Sequence, residues 1–295
     1  MIDLHTHTNE SDGSYTPAEL IDAAVGAGLE ALAITDHDTF AGHDQAAEMA
    51  AARGLDLVCG IELNTRAERN SGGRTRRWDV HVLVYFLNAP PTMEFRDWLR
   101  GLLASRRERN QRLVARLHAL GVDIDLGEVE AIGRTLTGRP HFARVLVKKG
   151  YATNTEEAFR NYLGEAAPGY VARESATTKE AFRRIADAGG LAVVAHPIRL
   201  GFRDPAAEEE FISELRDEGL RGLEAYHSDH TPQDAERYAA MAKKLGLAVS
   251  GGSDFHGDVK PHVHLGTGVN GNLNVPRTVL DGLRAAAGLR ENSVP

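Results

Sequence analysis

Nine histidine, aspartate and glutamate side chains occupy positions from which they could bind metal ions. His5 and His7 follow an apolar run at the start of the chain, and alternate residues of an extended segment point the same way, so both imidazoles can be directed at one point. Asp12 lies in the polar loop that comes next. The other candidates follow or lie within later apolar runs: His37, Glu62, His81, His196, Asp254 and His256. A mixed imidazole and carboxylate set favours Mn, Zn or Fe over Ca or Mg, and nine ligands suffice for two or three divalent ions.

Such a cluster activates water near neutral pH and neutralises the oxygens of a phosphoryl group. We therefore expect hydrolysis by a metal-bound hydroxide, with phosphate esters as the favoured substrates. The sequence has no GxxxxGK[ST] loop, no GxGxxG directly after an apolar run typical of a strand and no GxSxG elbow, so these motifs give no support to nucleotide-triphosphate, dinucleotide or serine-hydrolase chemistry. Cys59 lies within an apolar run and is expected to be inert core.

Seven short apolar runs, bounded by Gly, Asp or Thr, are typical of buried strands. They are Met1–Leu4, Ala31–Ile34, Leu57–Ile61, Val80–Phe86, Leu191–Ala195, Gly222–Ala225 and Leu247–Ser250. Helical patterns separate most of them, as at Thr16-Pro17-Ala18-Glu19, where a capping residue precedes proline and an acidic first turn. The alternation predicts a mainly parallel α/β sheet, open or closed. Its strands would end at one face, where the candidate ligands could meet.

Residues 96–179 interrupt this alternation with helical patterns and no convincing strand, which predicts a helical insertion into a domain formed by residues 1–95 and 180–295. Residues 96–150 carry 12 Lys and Arg against 6 Asp and Glu, whereas the whole chain has a net charge of −8. This asymmetry indicates either contact with an anion or a solvated basic helix face. The segment Arg66–Arg77 is expected to be a basic loop between two strands that forms a mobile hairpin tip, with contact to a phosphate chain as the minor alternative.

The composition limits the remaining possibilities. The 295 residues, 42% of them hydrophobic, are enough for one or two domains with a substantial core. No apolar run is long enough to span a bilayer, and no secretory signal is evident. The single cysteine suits a reducing compartment, so we expect a cytoplasmic protein without membrane contact. The acidic balance argues against stable binding of duplex DNA.

The segments DLHTHTNESDGS, AITDHDTFAG, GIEL, DVHVLVY, AHP and GSDFH, in this order, resemble the polymerase and histidinol phosphatase (PHP) superfamily along essentially the whole chain. Stretches around Arg139-Pro140-His141 and Pro168-Gly169-Tyr170 are similar to the stand-alone PHP phosphoesterases. That subgroup includes nucleoside 3′,5′-bisphosphate phosphatases, AMP-cleaving phosphatases and 5′→3′ exoribonucleases. The resemblance implies a distorted seven-stranded (β/α) barrel with a helical cap insertion.

The resemblance also implies a trinuclear metal site. One ion would be surrounded by His5, His7, Glu62 and Asp254. Glu62 would bridge to a second ion held also by His81 and His196, and the third would be held by Asp12, His37 and His256. Because no ligand position departs from the family pattern, we expect an active enzyme in which Asp254 is catalytic.

Candidate substrate contacts are Arg139, His141 and Arg144, which open a helix with proline at its first position, where free N–H groups favour an anion. Their alternative role is structural, within the insertion. His227 follows the sixth predicted strand, and we expect it to contact substrate or to give a proton to the leaving group, with a supporting role as the alternative.

The sequence therefore predicts a metal-dependent phosphatase acting on a small phosphorylated substrate. A nucleotide, either AMP or a nucleoside 3′,5′-bisphosphate, is favoured, with the 5′ ends of short single-stranded RNA as a further candidate. The alternatives are a histidinol-phosphate phosphatase, a non-catalytic metal-binding PHP module and, less favoured, an amide-cleaving metallohydrolase.

Overall fold

The barrel sheet of the protein is formed by strands that follow one another in nearly sequential order. The computed structural model describes residues 1–71, 74–133, 137–172 and 175–288. The strands are β1 (Ile2–Thr6), β2 (Ala31–Ile34), β3 (Asp56–Ser71), β4 (Arg74–Phe86), β5 (Ala176–Thr177), β6 (Leu191–Val194), β7 (Gly222–His227), β8 (Ala248–Gly252), β9 (Val263–His264) and β10 (Gly268–Val269). Their order is β1-β2-β3-β4-β6-β7-β8, with β5 beside β3 and a separate β9–β10 ladder.

Contacts between the first strand and the residues after β8 nearly close the sheet into a barrel. The Asp254 N–H donates to the His5 carbonyl at 2.8 Å, and the His7 N–H donates to the Phe255 carbonyl at 2.9 Å. A Cβ on Gly252 would overlap the backbone nitrogen of His5, so the close approach of these strands requires glycine there. The expected distorted seven-stranded α/β barrel is confirmed.

The helices lie between the strands and in the segment that follows β4. They are α1 (Pro17–Gly26), α2 (Ala41–Ala52), α3 (Met93–Ala119), α4 (Leu126–Gly133), α5 (Arg139–Lys148), α6 (Thr155–Ala158, continued by a π-helical turn over Phe159–Leu163), α7 (Thr178–Asp187), α8 (Pro205–Glu218), α9 (Pro232–Leu245) and α10 (Arg277–Gly288). The predicted start of α1 is confirmed, because the Thr16 hydroxyl accepts from the Glu19 N–H while the Glu19 carboxylate accepts from the Thr16 N–H. Such a capping box satisfies N–H groups that a helix start leaves free.

Strand β4 is antiparallel to both of its neighbours, whereas the other barrel pairs are parallel. It forms a long hairpin with β3, and the pairing runs from Cys59 opposite Phe86 to Ser71 opposite Arg74. The prediction that Arg66–Arg77 forms a mobile hairpin tip is therefore wrong for the two arms, which are paired strands, while Gly72 and Gly73 lie outside the described residues. The arms form strands despite their polar composition because their backbones pair with each other across the hairpin.

The chain divides into two compact units, residues 1–96 with 176–295, and residues 97–175. The second unit contains α4, α5 and α6, in agreement with the helical patterns of this part of the sequence. Its own apolar core includes Leu113, Leu117, Val129, Phe142 and Leu146. At the end of the block predicted to be free of strands, Ala176–Thr177 pairs with β3 at Thr65–Arg66, so that part of the prediction is wrong.

The core of the first unit joins strands from around the barrel to α10. Tyr85 is fully buried in it, and its hydroxyl donates to the Leu4 carbonyl at 2.8 Å and lies 2.9 Å from Ser250 Oγ. This one side chain therefore connects β4 with β1 and β8 across the sheet. Within the described ranges, none of the helices is long and apolar enough to cross a membrane.

Replacing Tyr85 by phenylalanine is expected to lower the free energy of unfolding by about 1–3 kcal/mol, because the Leu4 carbonyl loses its buried donor. The measurement is urea unfolding followed by circular dichroism. Tyr226, a half-buried tyrosine of β7 that packs against the same core, supplies the matched control, and Tyr226→Phe should cost less than about 0.5 kcal/mol. Equal losses in the two variants would contradict the proposed importance of the Tyr85 hydroxyl.

Candidate metal centre

All nine candidate ligands are brought together at one end of the barrel. His5 and His7 lie at the end of β1, His196 follows β6, and Asp254 follows β8. Glu62 does not end its strand as predicted, because β3 continues to Ser71. Asp12 and His37 lie in the loops after β1 and β2, His81 lies in β4, and His256 lies in the loop after β8.

His81 reaches this end of the barrel because of the reversed direction of β4. It lies near the start of the strand and pairs with Asn64 of β3, two residues beyond Glu62. Since β4 is antiparallel, its beginning lies beside the carboxyl ends of the parallel strands. The prediction placed His81 in the cluster from its motif alone, and the reversed strand supplies the physical reason.

Glu62 is the centre of the cluster, because both of its carboxylate oxygens face imidazoles. Oε1 lies 2.8 Å from His81 Nδ1 and 2.9 Å from His196 Nε2. Oε2 lies 3.3 Å from His5 Nε2, 3.1 Å from His7 Nε2 and 3.4 Å from His37 Nδ1. Burial by itself would raise the pKa of Glu62, but His37, His81 and His5 outweigh that effect and hold the pKa well below its usual range.

Among the described residues, four groups have ligand atoms that all lie within 4.8 Å of one another, and three of these consist of candidate ligands alone. The first group is His5, His7, Glu62 and Asp254; the second is His7, Asp12 and His256; the third is His37, Glu62 and His81. Nitrogen and oxygen ligands that share one ion at about 2.1 Å lie roughly 3–3.5 Å apart in tetrahedral geometry. The spacing and the donor types of the cluster therefore fit divalent metal ions.

The hydrogen bonds of His256 indicate that a positive charge is needed between its ring and the Asp12 carboxylate. His256 Nδ1 lies 2.8 Å from the Asp254 carbonyl, which can only accept, so Nδ1 carries the proton. Burial, followed by the nearby His7, lowers the pKa of His256, which favours the neutral ring with a lone pair on Nε2. That lone pair lies 3.3 Å from the Asp12 carboxylate. Two facing acceptors are repulsive unless a cation lies between them, which is what a metal ion would provide.

Glu224 orients two of the histidines and was missed by the sequence analysis. It is fully buried in β7, accepts from His5 Nδ1 at 2.9 Å and accepts from the His196 N–H at 2.6 Å. The first contact leaves His5 Nε2 directed at Glu62, as in the carboxylate–histidine pairs that support metal sites. The signal that could have identified it is an acidic residue in the middle of an apolar strand.

Backbone strain is concentrated around the same cluster. Among the described non-glycine residues, φ is positive at Asp38, His196, Asp254 and Asn270, with values of 56°, 27°, 57° and 54°. Two of these are candidate ligands, and Asp38 adjoins His37. Residues held in such conformations persist only where the surrounding structure imposes them, and they are common at functional sites.

His227, the last residue of β7, is completely buried beside the cluster. Its Nδ1 accepts a hydrogen bond from the Asp229 N–H at 3.0 Å, so a neutral ring carries its proton on Nε2. Nε2 lies 3.7 Å from Asp254 Oδ2. A protonated Nε2 cannot bind a metal ion, but it can donate to a bound oxygen.

The candidate substrate contacts Arg139, His141 and Arg144 all lie on α5 of the second unit. The Arg139 guanidinium lies 5.4 Å from the centre of the Tyr170 ring. His141 Nδ1 accepts from the Gly138 N–H at 3.0 Å and so caps the start of α5. Arg144 is exposed. Arg139 and His141 thus have structural contacts of their own, and a substrate role for all three stays a prediction.

Known proteins resemble the chain over most of its length. Residues 3–186 match the family described as the PHP domain. The chain is 34% identical to the 3′,5′-nucleoside bisphosphate phosphatase of Chromobacterium violaceum, over 86% of this chain and 87% of that protein. It is 32% identical to a 5′-3′ exoribonuclease of Haemophilus influenzae, over 86% of this chain and 89% of that protein.

A crystal structure from Bifidobacterium adolescentis, described as a candidate metal-dependent phosphoesterase, superposes with a TM-score of 0.71. The two chains are 32% identical, and the match covers 96% of this chain and 95% of the other. Sequence and fold agree over nearly the full length, and the resemblance inferred from the motifs is confirmed. The chain belongs to the PHP domain family.

Proposed function

We propose that this protein is a metal-dependent phosphoesterase that releases phosphate from the monoester of a nucleotide. The observation that carries the proposal is the convergence of five imidazoles on the buried Glu62, with Asp12 and Asp254 beside them. AMP and nucleoside 3′,5′-bisphosphates are the favoured substrates, and the relatives named above support a nucleotide or RNA end rather than histidinol phosphate. A cytoplasmic location, favoured by the single cysteine, is part of the proposal.

The cluster would hold two or three divalent ions, with Mn, Zn or Fe as the candidates. His5, His7, Glu62 and Asp254 would hold the first ion, and Glu62 would bridge to a second held with His81 and His196. The third would be held by Asp12, His37 and His256. Ions bound in this way supply Lewis acidity toward the phosphoryl oxygens and lower the pKa of water.

The residues around the ions have separable roles in this proposal. Glu224 holds His5 and His196 in the orientation that directs their Nε2 atoms to Glu62. Asp254 directs Oδ1 toward His5 and His7 and Oδ2 away from them, toward His227. His227 keeps a proton on Nε2 and would donate it to the leaving-group oxygen. Arg139, His141 and Arg144 would bind phosphate groups of the substrate.

Asp254→Asn is expected to lower phosphate release from AMP in the presence of Mn²⁺ by at least about 100-fold, because the variant removes a charged ligand. Elemental analysis should also find less metal per chain than in the unmodified protein. Asp258→Asn, at an exposed aspartate four residues further on, is the control and should behave like the unmodified protein. Full turnover by a folded Asp254→Asn variant would exclude the metal mechanism, whereas absence of phosphate release by the unmodified protein would leave a non-catalytic binding module as the alternative.

Glu224→Gln tests the orientation of the ligands. The two donors contact different oxygens of Glu224, and in glutamine an NH2 group that cannot accept replaces one of these oxygens, so we expect Mn²⁺ affinity to fall by about 10–100-fold. Competition with a metal-binding dye measures this affinity. Glu208→Gln is the control, since Glu208 is also a buried carboxylate but accepts from Tyr238 and Arg237. If both variants bind Mn²⁺ with equal affinity, Glu224 has no orienting role.

His227→Asn distinguishes proton donation from simple support of the site. Loss of a general acid slows hydrolysis of a poor leaving group, such as the ribose of AMP, by about 100-fold or more. Hydrolysis of p-nitrophenyl phosphate, whose leaving group departs without a proton, should fall much less. Steady-state kinetics with both substrates provide the comparison, and an equal loss with both would show that His227 does not act as the acid.

A further inference from the structure

Two basic side chains that the sequence analysis did not identify lie against Asp254. Lys260 Nζ lies 2.7 Å from Asp254 Oδ2, and Arg199 Nη2 lies 3.0 Å from the same oxygen. Lys260 follows the short 3₁₀ turn Gly257–Val259, and Arg199 lies in the 3₁₀ turn Pro197–Leu200. The two turns follow different strands, β8 and β6, and each places a positively charged side chain against the same oxygen of Asp254.

The two oxygens of Asp254 face different surroundings. Oδ1 lies 3.3 Å from His7 Nε2 and 3.5 Å from His5 Nε2, within the candidate metal cluster. Oδ2 faces Lys260, Arg199 and, at 3.7 Å, His227 Nε2. The carboxylate therefore separates the metal ligands from a group of hydrogen-bond donors.

Solvent reaches these cations although it does not reach Asp254. The side chains of Arg199 and Lys260 are 40% and 29% exposed, whereas that of Asp254 is 4% exposed. The Asp229 carboxylate holds Arg199 through Nε at 2.8 Å and Nη2 at 2.7 Å. The Asp229 N–H also donates to His227 Nδ1. Asp229 thus positions both Arg199 and His227, and an anion that arrives from solvent can contact the donors.

We propose that Arg199 and Lys260 form a phosphate pocket that selects the doubly negative phosphate of a monoester over the singly negative phosphate of a diester. This inference rests on the proposed function and names the substrate class of the same site. Because both nitrogens lie within hydrogen-bond distance of one oxygen atom, a single phosphate group can contact both. A phosphate monoester carries a charge of about −1.5 to −2 near pH 7, so its attraction to two cations exceeds that of a diester. Arginine supplies a planar fork and lysine a compact point charge.

The test uses the Mn²⁺-loaded protein with Arg199→Gln or Lys260→Gln. The substrates are p-nitrophenyl phosphate and bis(p-nitrophenyl) phosphate, which share one leaving group. Each variant should raise KM for the monoester by roughly tenfold or more, and the loss with the diester should be smaller. Arg203→Gln and Lys243→Gln, at exposed positions, are the matched controls and should retain the kinetics of the unmodified protein.

Calorimetric titration with inorganic phosphate gives a readout that does not depend on turnover. Both variants should bind phosphate roughly tenfold or more weakly than the unmodified protein, with the same Mn content by elemental analysis. Unaltered phosphate affinity, equal losses with monoester and diester, or loss of bound Mn would each overturn the proposal. If the unmodified protein releases no phosphate from any substrate, the proposed function fails, while the phosphate titration still decides whether the pocket exists.

Discussion

The burial of one carboxylate, Glu62, is the constraint on which the rest of the structure depends. A charged carboxylate withdrawn from water is strongly destabilising unless opposite charge or hydrogen-bond donors surround it. Here both oxygens face imidazoles that come from four other strands or the loops after them. The barrel must therefore hold its strand ends in one register, because a displaced strand would remove a partner from a charge that cannot reach solvent.

The surrounding layer shows how that register is maintained. Glu224 holds the imidazole ring of His5 and the backbone of His196 in place. Gly252 permits β8 to approach β1 closely enough for Asp254 to reach the cluster. Left-handed backbone at His196 and Asp254 places ligands where an ordinary strand ending would not. In this arrangement one carboxylate oxygen of Asp254 faces the candidate metal ligands, and the other faces Arg199 and Lys260. Structural support and substrate selection are thus combined in one carboxylate.

Much of the cluster could be predicted because its members lie next to short apolar strands. The pair His5 and His7, for example, needs only the alternation of an extended chain to share a face. The length of the hairpin formed by β3 and β4 could not be predicted, since the outer parts of its arms are polar and charged and resemble a loop in composition. Glu224 was missed for a related reason: a single acidic residue in a strand has no motif, and its meaning depends on the imidazole that lies 219 positions away in sequence.

The sequence by itself determined which residue types could bind metal ions, the division into strands and helices around them, and the family to which the chain belongs. These are local properties, since they depend on side-chain chemistry and on short periodic patterns. Only the tertiary structure decided how far β3 and β4 pair, the tautomers of His227 and His256, and the meeting of Arg199 with Lys260 at Asp254. Each of these depends on contacts between segments far apart in the chain, and such contacts arise only when the barrel closes.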